Sequence, residues 1–182
     1  QASRRFRCEI FFGRCINAAH LPDAEAFGGT VEIAALLDLH KDQDPEGLCH
    51  DAKRNRLLIA CKGSPKKNDR TRSIYAFNLQ SMQMDHSPVL VIDSQDFLPN
   101  SEDSFNPSGI AIHPQSDVLY IIGSKGVKMI ACYELDGYCK GAWRLNENQF
   151  IQPEGIAFMP SGELVISSEG KKGKKAKILM FS

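Results

Sequence analysis

Glu46, Ser108 and Glu154 hold the same place in three copies of one pattern, and two carboxylates brought to one point have a chemistry that neither has alone. The copies read Asp44-Pro45-Glu46-Gly47-Leu48, Asn106-Pro107-Ser108-Gly109-Ile110 and Gln152-Pro153-Glu154-Gly155-Ile156. Paired carboxylates with few other partners repel, and the strain is relieved by a raised pKa on one of them or by a bound cation. Oxygen-only donors favour a hard cation, and a wide site that retains waters suits calcium better than magnesium. The expected metal ligands are therefore Glu46 and Glu154, with Ser108 supplying a neutral oxygen and Asn106 helping beside it. Ser167, Ser168 and Glu169 are expected toward the same place. No His-x-His pair or close Cys cluster competes to make a zinc centre. A plainer reading stands beside this one: Pro-Glu-Gly is a turn whose glutamates accept backbone hydrogen bonds.

The elements that would gather these residues are legible in the repeat. Each opening is followed by a short apolar segment (48–50, 110–112, 156–158), a turn (51–55, 114–117, 160–162) and a second apolar run ending near Gly63, Gly126 and Gly170. A loop rich in Gly and Lys comes next, then a third strand at 73–79, 129–135 and 177–181. Two copies continue to a fourth, at 88–92 and 140–145. Short β-branched and aromatic strands joined by tight turns predict antiparallel hairpins. Four strands per unit, at a period of roughly 45 to 60 residues, predict the blade of a β-propeller. An immunoglobulin-like sandwich would not repeat the same opening at every fourth strand. The first strand of each blade lines a central channel, so Glu46, Ser108 and Glu154 are expected around one mouth of it.

The chain has 182 residues, 42% hydrophobic and 24% charged, enough to bury a core. Its 22 basic and 22 acidic side chains cancel, so no long-range field draws it to nucleic acid or to an anionic membrane. No apolar run is long enough to span a bilayer as a helix, and no export segment is evident. It begins at Gln1 without a Met, as a processed or truncated product would. The domain reading is one β-propeller domain over 1–182, with 1–40 the remnant of a preceding blade and 44–104, 106–150 and 152–182 the repeat units. About four blades are expected in the chain, the C-terminal part of a larger ring. Outer strands are expected at 7–12 and 30–37, although 32–39 also has helical periodicity, and an inter-blade loop is expected at 93–104. Of the six cysteines, Cys8, Cys15, Cys49, Cys61, Cys132 and Cys139, most are expected to be free core thiols. A hairpin turning at Asp136-Gly137 would set 134 opposite 139 and leave Cys132 diagonal to Cys139.

Taken together, residues 38–182 resemble the SdiA-regulated family of bacterial β-propellers, distantly similar to proteins with NHL repeats. The resemblance rests on the three openings, on the run Lys53-Arg54-Asn55-Arg56-Leu57-Leu58-Ile59-Ala60-Cys61-Lys62-Gly63, on Ser73-Ile74-Tyr75-Ala76-Phe77, and on Ile110-Ala111-Ile112-His113-Pro114 and Ile156-Ala157-Phe158. It implies a propeller of five or six blades, periplasmic or attached to the cell envelope, that binds calcium and carries no assigned activity.

The leading functional reading is a non-enzymatic, calcium-binding module for binding or scaffolding. The alternative is a metal-dependent hydrolase, a lactonase or phosphotriesterase, in which a channel calcium polarises a carbonyl or phosphoryl oxygen. That reading needs a general base, and His50 and His113, at matching positions, are expected deeper along the channel; no nucleophile motif accompanies them, His20, His40 or His86. The loops between second and third strands return to the mouth and are basic, with Lys62, Lys66, Lys67, Arg70 and Arg72, then Lys125 and Lys128, then Lys171, Lys172, Lys174, Lys175 and Lys177. They form either a collar for a small anionic ligand or solvated loops that guard strand edges. The partner is thus a small anion or a protein, with no nucleic acid and no transmembrane segment. Trp143, Tyr75 and Tyr133 are expected in the core.

Overall fold

Alternating apolar residues and turn signals produce an all-β chain. The computed structural model describes residues 44–63, 70–99, 103–171 and 173–182. The readings made for residues 1–40, including Cys8, Cys15, His20 and His40, and those for Lys66, Lys67 and Lys172 lie outside the described residues. Apart from two three-residue 3-10 turns, at Ala52–Arg54 and Ser94–Asp96, the described regular structure is strand.

The strands are β1 (Pro45–Asp51), β2 (Arg56–Cys61), β3 (Thr71–Asn78), β4 (Gln83–Met84), β5 (Leu90–Asp93), β6 (Phe105–Ile112), β7 (Leu119–Gly126), β8 (Met129–Tyr133), β9 (Cys139–Arg144), β10 (Gln152–Phe158), β11 (Leu164–Glu169) and β12 (Lys177–Phe181). Among the described residues they form three antiparallel sheets in sequence order: β1-β2-β3 with β4 and β5 both on β3, then β6-β7-β8-β9, then β10-β11-β12. Turns, second strands and third strands fall where the repeat places them. The fourth position of the first sheet is divided. Asp85 N–H donates to Ala76 O and Val89 N–H to Ile74 O, so His86, Ser87 and Pro88 loop out between β4 and β5. Pro88 has no N–H to give a ladder there.

The sheets are held face to face by the two-residue period of their strands. Ile121 and Ile122 are both fully buried, yet they serve different cores. Ile121 joins Leu119, Ala131 and Tyr133 against Leu58, Ile74, Ala76 and Ile92 of the first sheet. Ile122 joins Ile130 and Cys132 against Ile166 of the third, with Ile156, Leu164 and Leu179 at its margin. The middle sheet is therefore covered on both faces, and this is why β8 reads as an unbroken apolar run. Tyr133 is buried as expected, whereas Trp143 is 58% exposed. Its indole lies over Gly141 of its own strand instead of entering a core.

The first strands β1, β6 and β10 lie side by side. Their turn ends are tied across sheets. Arg54 Nη2 donates to Asp117 Oδ2 at 2.8 Å, from the β1–β2 turn to the β6–β7 turn. Gln115 Nε2 donates to Pro160 O at 2.7 Å, from that turn to the next. Asp51, only 1% exposed, takes Arg56 Nε at 2.9 Å and Arg54 Nη1 at 3.2 Å, and its carboxylate also accepts the Arg54 backbone N–H.

The cysteine hairpin differs from its expected register. Tyr133, not residue 134, faces Cys139, and Cys132 faces Gly141, so Lys140 is an extra residue in β9. The four described cysteines are free. Burial, the largest cause in each case, pushes the thiols of Cys49, Cys61 and Cys132 up to about 12, so they are not thiolates at neutral pH.

Candidate functional site

The Pro-Glu/Ser-Gly segments lie inside the first strands rather than ahead of them, and each carries a β-bulge. Pro45 faces Cys61 while Gly47 faces Ala60, which leaves Glu46 as the extra residue. Ser108 is extra between Pro107, opposite Gly123, and Gly109, opposite Ile122. Glu154 is extra between Pro153, opposite Ser168, and Gly155, opposite Ser167. The residue types explain the defect. Proline cannot donate to the ladder and is tolerated at a bulge, and a bulge re-aims the side chain it inserts.

Glycine after the bulge has a separate reason. A Cβ on Gly109 would stand 2.5 Å from the carbonyl oxygen of Glu154, and one on Gly47 would stand 3.2 Å from the backbone of Gly109 and Ile110. The neighbouring first strand comes that close only because no side chain intervenes. In β10 the side chains of the second strand complete the bulge: Ser167 Oγ accepts from Gly155 N–H at 3.1 Å and Ser168 Oγ from Gln152 N–H at 3.2 Å.

Glu46 and Glu154, far apart along the chain, thereby come within each other's field. Burial raises the pKa of the Glu154 carboxyl above the usual range; Glu169 and Glu46 add to this, while a hydrogen bond from Ser124 and the charge of Lys62 oppose it. Ser124 is itself the extra residue of β7, between Lys125 and Gly123. The Glu46 side chain is 9% exposed and is hydrogen-bonded to the Lys62 ammonium, which also pairs with Asp44 at 3.1 Å. Burial alone would weaken the hold of Lys62 on its proton, but the bonds to Glu46 and Asp44 outweigh it and the pKa rises.

The other two expected ligands face different work. The Ser108 hydroxyl donates to Pro153 O at 2.7 Å, bolting β6 to β10. Asn106 Oδ1 accepts twice from the buried Arg72, at 3.0 and 2.7 Å, and its Nδ2 donates to Ser104 Oγ and Lys125 O. The charge of Glu46 thus reaches Glu154, as does that of Glu169, and Asp44 shares Lys62 with Glu46, while Ser108 and Asn106 spend their polar atoms on the scaffold. For calcium, the donors fit in kind, being oxygens, but not in number: among the described residues no three His, Cys, Asp or Glu side chains gather closely enough to hold a metal ion.

The basic loops divide in the same way. Arg70 Nη2 donates to Leu98 O and Arg72 turns inward to Asn106, so neither stands in a collar. Lys125, Lys171, Lys174, Lys175 and Lys177 are exposed, and Lys128 approaches Glu147 at 3.8 Å. His113 lies at the turn end, its ring 4.8 Å from that of Phe158 and its Nδ1 accepting from Ser116 N–H. His50, also near that end, is exposed.

The sequence puts Lys62 at the mouth as a loop residue, but its pairing with Glu46 and Asp44 is hidden by the bulge. Pairing outward from Asp51 and Arg56, β1 and β2 reach Pro45 opposite Cys61 only after the shift at Glu46, and Lys62 N–H then donates to Asp44 O.

Among the described residues no helix is long and apolar enough to cross a membrane. No curated protein matches the chain. The family model described as SdiA-regulated matches residues 30–172. With most of its length in that match, and with the repeats that carry it folded into three successive antiparallel sheets, the chain belongs to the SdiA-regulated family.

Proposed function

We propose that this chain is part of a β-propeller that acts as a binding or scaffolding module, that its ligand site is the mouth formed at the bulged ends of β1, β6 and β10, and that calcium is the ion taken there by Glu46 and Glu154. The propeller reading is supported by three sheets in sequence order with their first strands adjacent. The observation that carries the site is that Glu46 and Glu154 stand at equivalent bulges of first strands and that the charge of Glu46 reaches Glu154. A bulge costs ladder pairing, and three at one end of adjacent strands put side chains where a regular strand would not. With Ser108 and Asn106 engaged elsewhere, the remaining ligands would be waters, as a wide mouth allows.

The test is thermal melting of the purified chain with and without calcium. Calcium should raise the melting temperature of the wild type by several degrees, and Glu46→Gln with Glu154→Gln should abolish the rise. An unchanged wild-type curve removes calcium from the function. The hydrolase alternative asks for a base beside the ion, and His113 stands at the far end of its strand. Residence in the periplasm or at the cell envelope rests on the resemblance and is tested by cell fractionation.

A further inference from the structure

The third sheet stops one strand short. In the first two sheets the third strand is followed by another on its far side, β5 on β3 and β9 on β8, whereas among the described residues β12 pairs with β11 alone. The backbone groups on the far side of Lys177–Phe181 are therefore offered to any incoming strand, and β12 has no bulge or proline to spoil them.

The neighbouring sheet is open at the same place. Between the first and second sheets the outer strands cover each other: Leu90 and Ile92 of β5 share a core with Cys139 and Ala142 of β9. On the other face of β9, Trp143 stands opposite Ile130, which enters the core shared with the third sheet. Its indole is nevertheless 58% exposed, since no described strand of the third sheet reaches that far out.

Charge marks the place a third time. In the second sheet Lys128, just before β8, approaches Glu147, just past β9, at 3.8 Å. In the first, Arg70, just before β3, donates to Ser94 Oγ, just past β5, in a segment that also carries Asp93 and Asp96. The end of the outer strand thus answers a basic residue at the start of the third. In the third sheet Lys174, Lys175 and Lys177 are exposed at the start of β12 with no such segment beside them.

We infer that the free side of β12 is a docking site for an extended segment of another protein, which adds as an antiparallel fourth strand, sets an apolar side chain on Trp143 and ends in acidic residues that meet Lys175 and Lys177. An antiparallel strand brings its C-terminal end to the start of β12, so the acids follow the apolar residues. Backbone pairing supplies affinity, while the indole and the lysines fix direction and register. A second copy pairing through its own β12 would bring lysine and no carboxylate. The surface lies outside the first strands and does not rest on calcium.

Trp143 is the only tryptophan of the chain, so its fluorescence reports this place alone. The probe is a synthetic peptide, Val89-Leu90-Val91-Ile92-Asp93-Ser94-Gln95-Asp96, this protein's own outer strand with its acidic end, titrated into the full chain. The emission should shift saturably to the blue as the indole leaves water. A peptide with both aspartates replaced by lysine should bind about tenfold more weakly. With Lys175→Glu and Lys177→Glu together in the chain, the order of the two peptides should reverse. By calorimetry, Trp143→Ala should lose about fivefold in affinity, and Tyr138→Ala, at the exposed turn between β8 and β9, nothing.

No saturable shift with either peptide overturns the inference and leaves the lysines as guards of a strand edge. Equal binding of both peptides by the wild type, or an order that survives the reversal of the lysines, overturns it as well. A blue shift on concentrating the chain without peptide gives the edge to a second copy and overturns the partner named here.

Discussion

The two ends of β1, β6 and β10 are built on opposite electrostatic plans. At the turn end, Asp51 and Asp117 are met by Arg54, Arg56 and Lys53, and the pairs run from one sheet to the next. At the bulge end Lys62 pairs with Asp44 and Glu46, Glu154 and Glu169 act on each other, and no ion pair joins the sheets among the described residues: the ties are Ser108 on Pro153 O, Arg72 on the neutral Asn106 amide, and bare glycine backbone. Charge at the turn end is spent on holding the sheets together. At the bulge end burial, with the charges of Glu169 and Glu46 adding to it, works against the ionised Glu154 carboxylate, which is the usual mark of a place kept for something other than folding.

The sharpest way to break this contrast is to attack the uncharged packing. Gly109→Ala drives a Cβ to 2.5 Å from the Glu154 carbonyl oxygen, a backbone atom that moves only if β10 moves, and should cost about 3 kcal/mol in urea denaturation. Gly47→Ala, with its nearest neighbours at 3.2 Å, should cost about 1 kcal/mol. Equal costs would mean that the first strands do not rely on close approach at the middle bulge.

Removing charge separates the ends by sign. Asp51→Asn weakens a buried carboxylate's bonds to two partly exposed arginines and should destabilise by about 2 kcal/mol, read from the same denaturation curves. Glu154→Gln should do the reverse, stabilising by under about 1 kcal/mol at neutral pH. The folded chain binds the Glu154 proton more tightly than the unfolded chain does. Ionisation therefore costs stability above the folded pKa, and the cost fades as pH falls through that value toward the ordinary carboxyl range. The advantage of the variant should shrink over the same interval, and an advantage that is constant with pH would show that ionising Glu154 costs the fold nothing.

The repeat made the hairpins legible because each ends on residues with local turn chemistry: Asn55 in the left-handed region, Pro114 to Asp117, and Ser161-Gly162. What local pattern does not carry is an insertion in a ladder. Glu46, Ser108 and Glu154 were recognised as equivalent, but their position inside a strand depends on which residues face them across the sheet, and that depends on the bulge itself. The same shift set Lys62 against Glu46, and another set Cys139 against Tyr133. Trp143 escaped for a different reason: it belongs to an outer strand, where one face of the pleat meets solvent.

The interruption between Gln83–Met84 and Leu90–Asp93 has a consequence for how molecules of this protein meet. An uninterrupted outermost ribbon offers its free amides and carbonyls to any passing chain, and self-association begins there. On this flank the offer is cut in half by His86, Ser87 and Pro88 standing off the ladder, so a visiting strand finds two docking stretches too short to grip. Concentrated solutions of the protein should owe part of their clarity to three residues that make no regular structure at all.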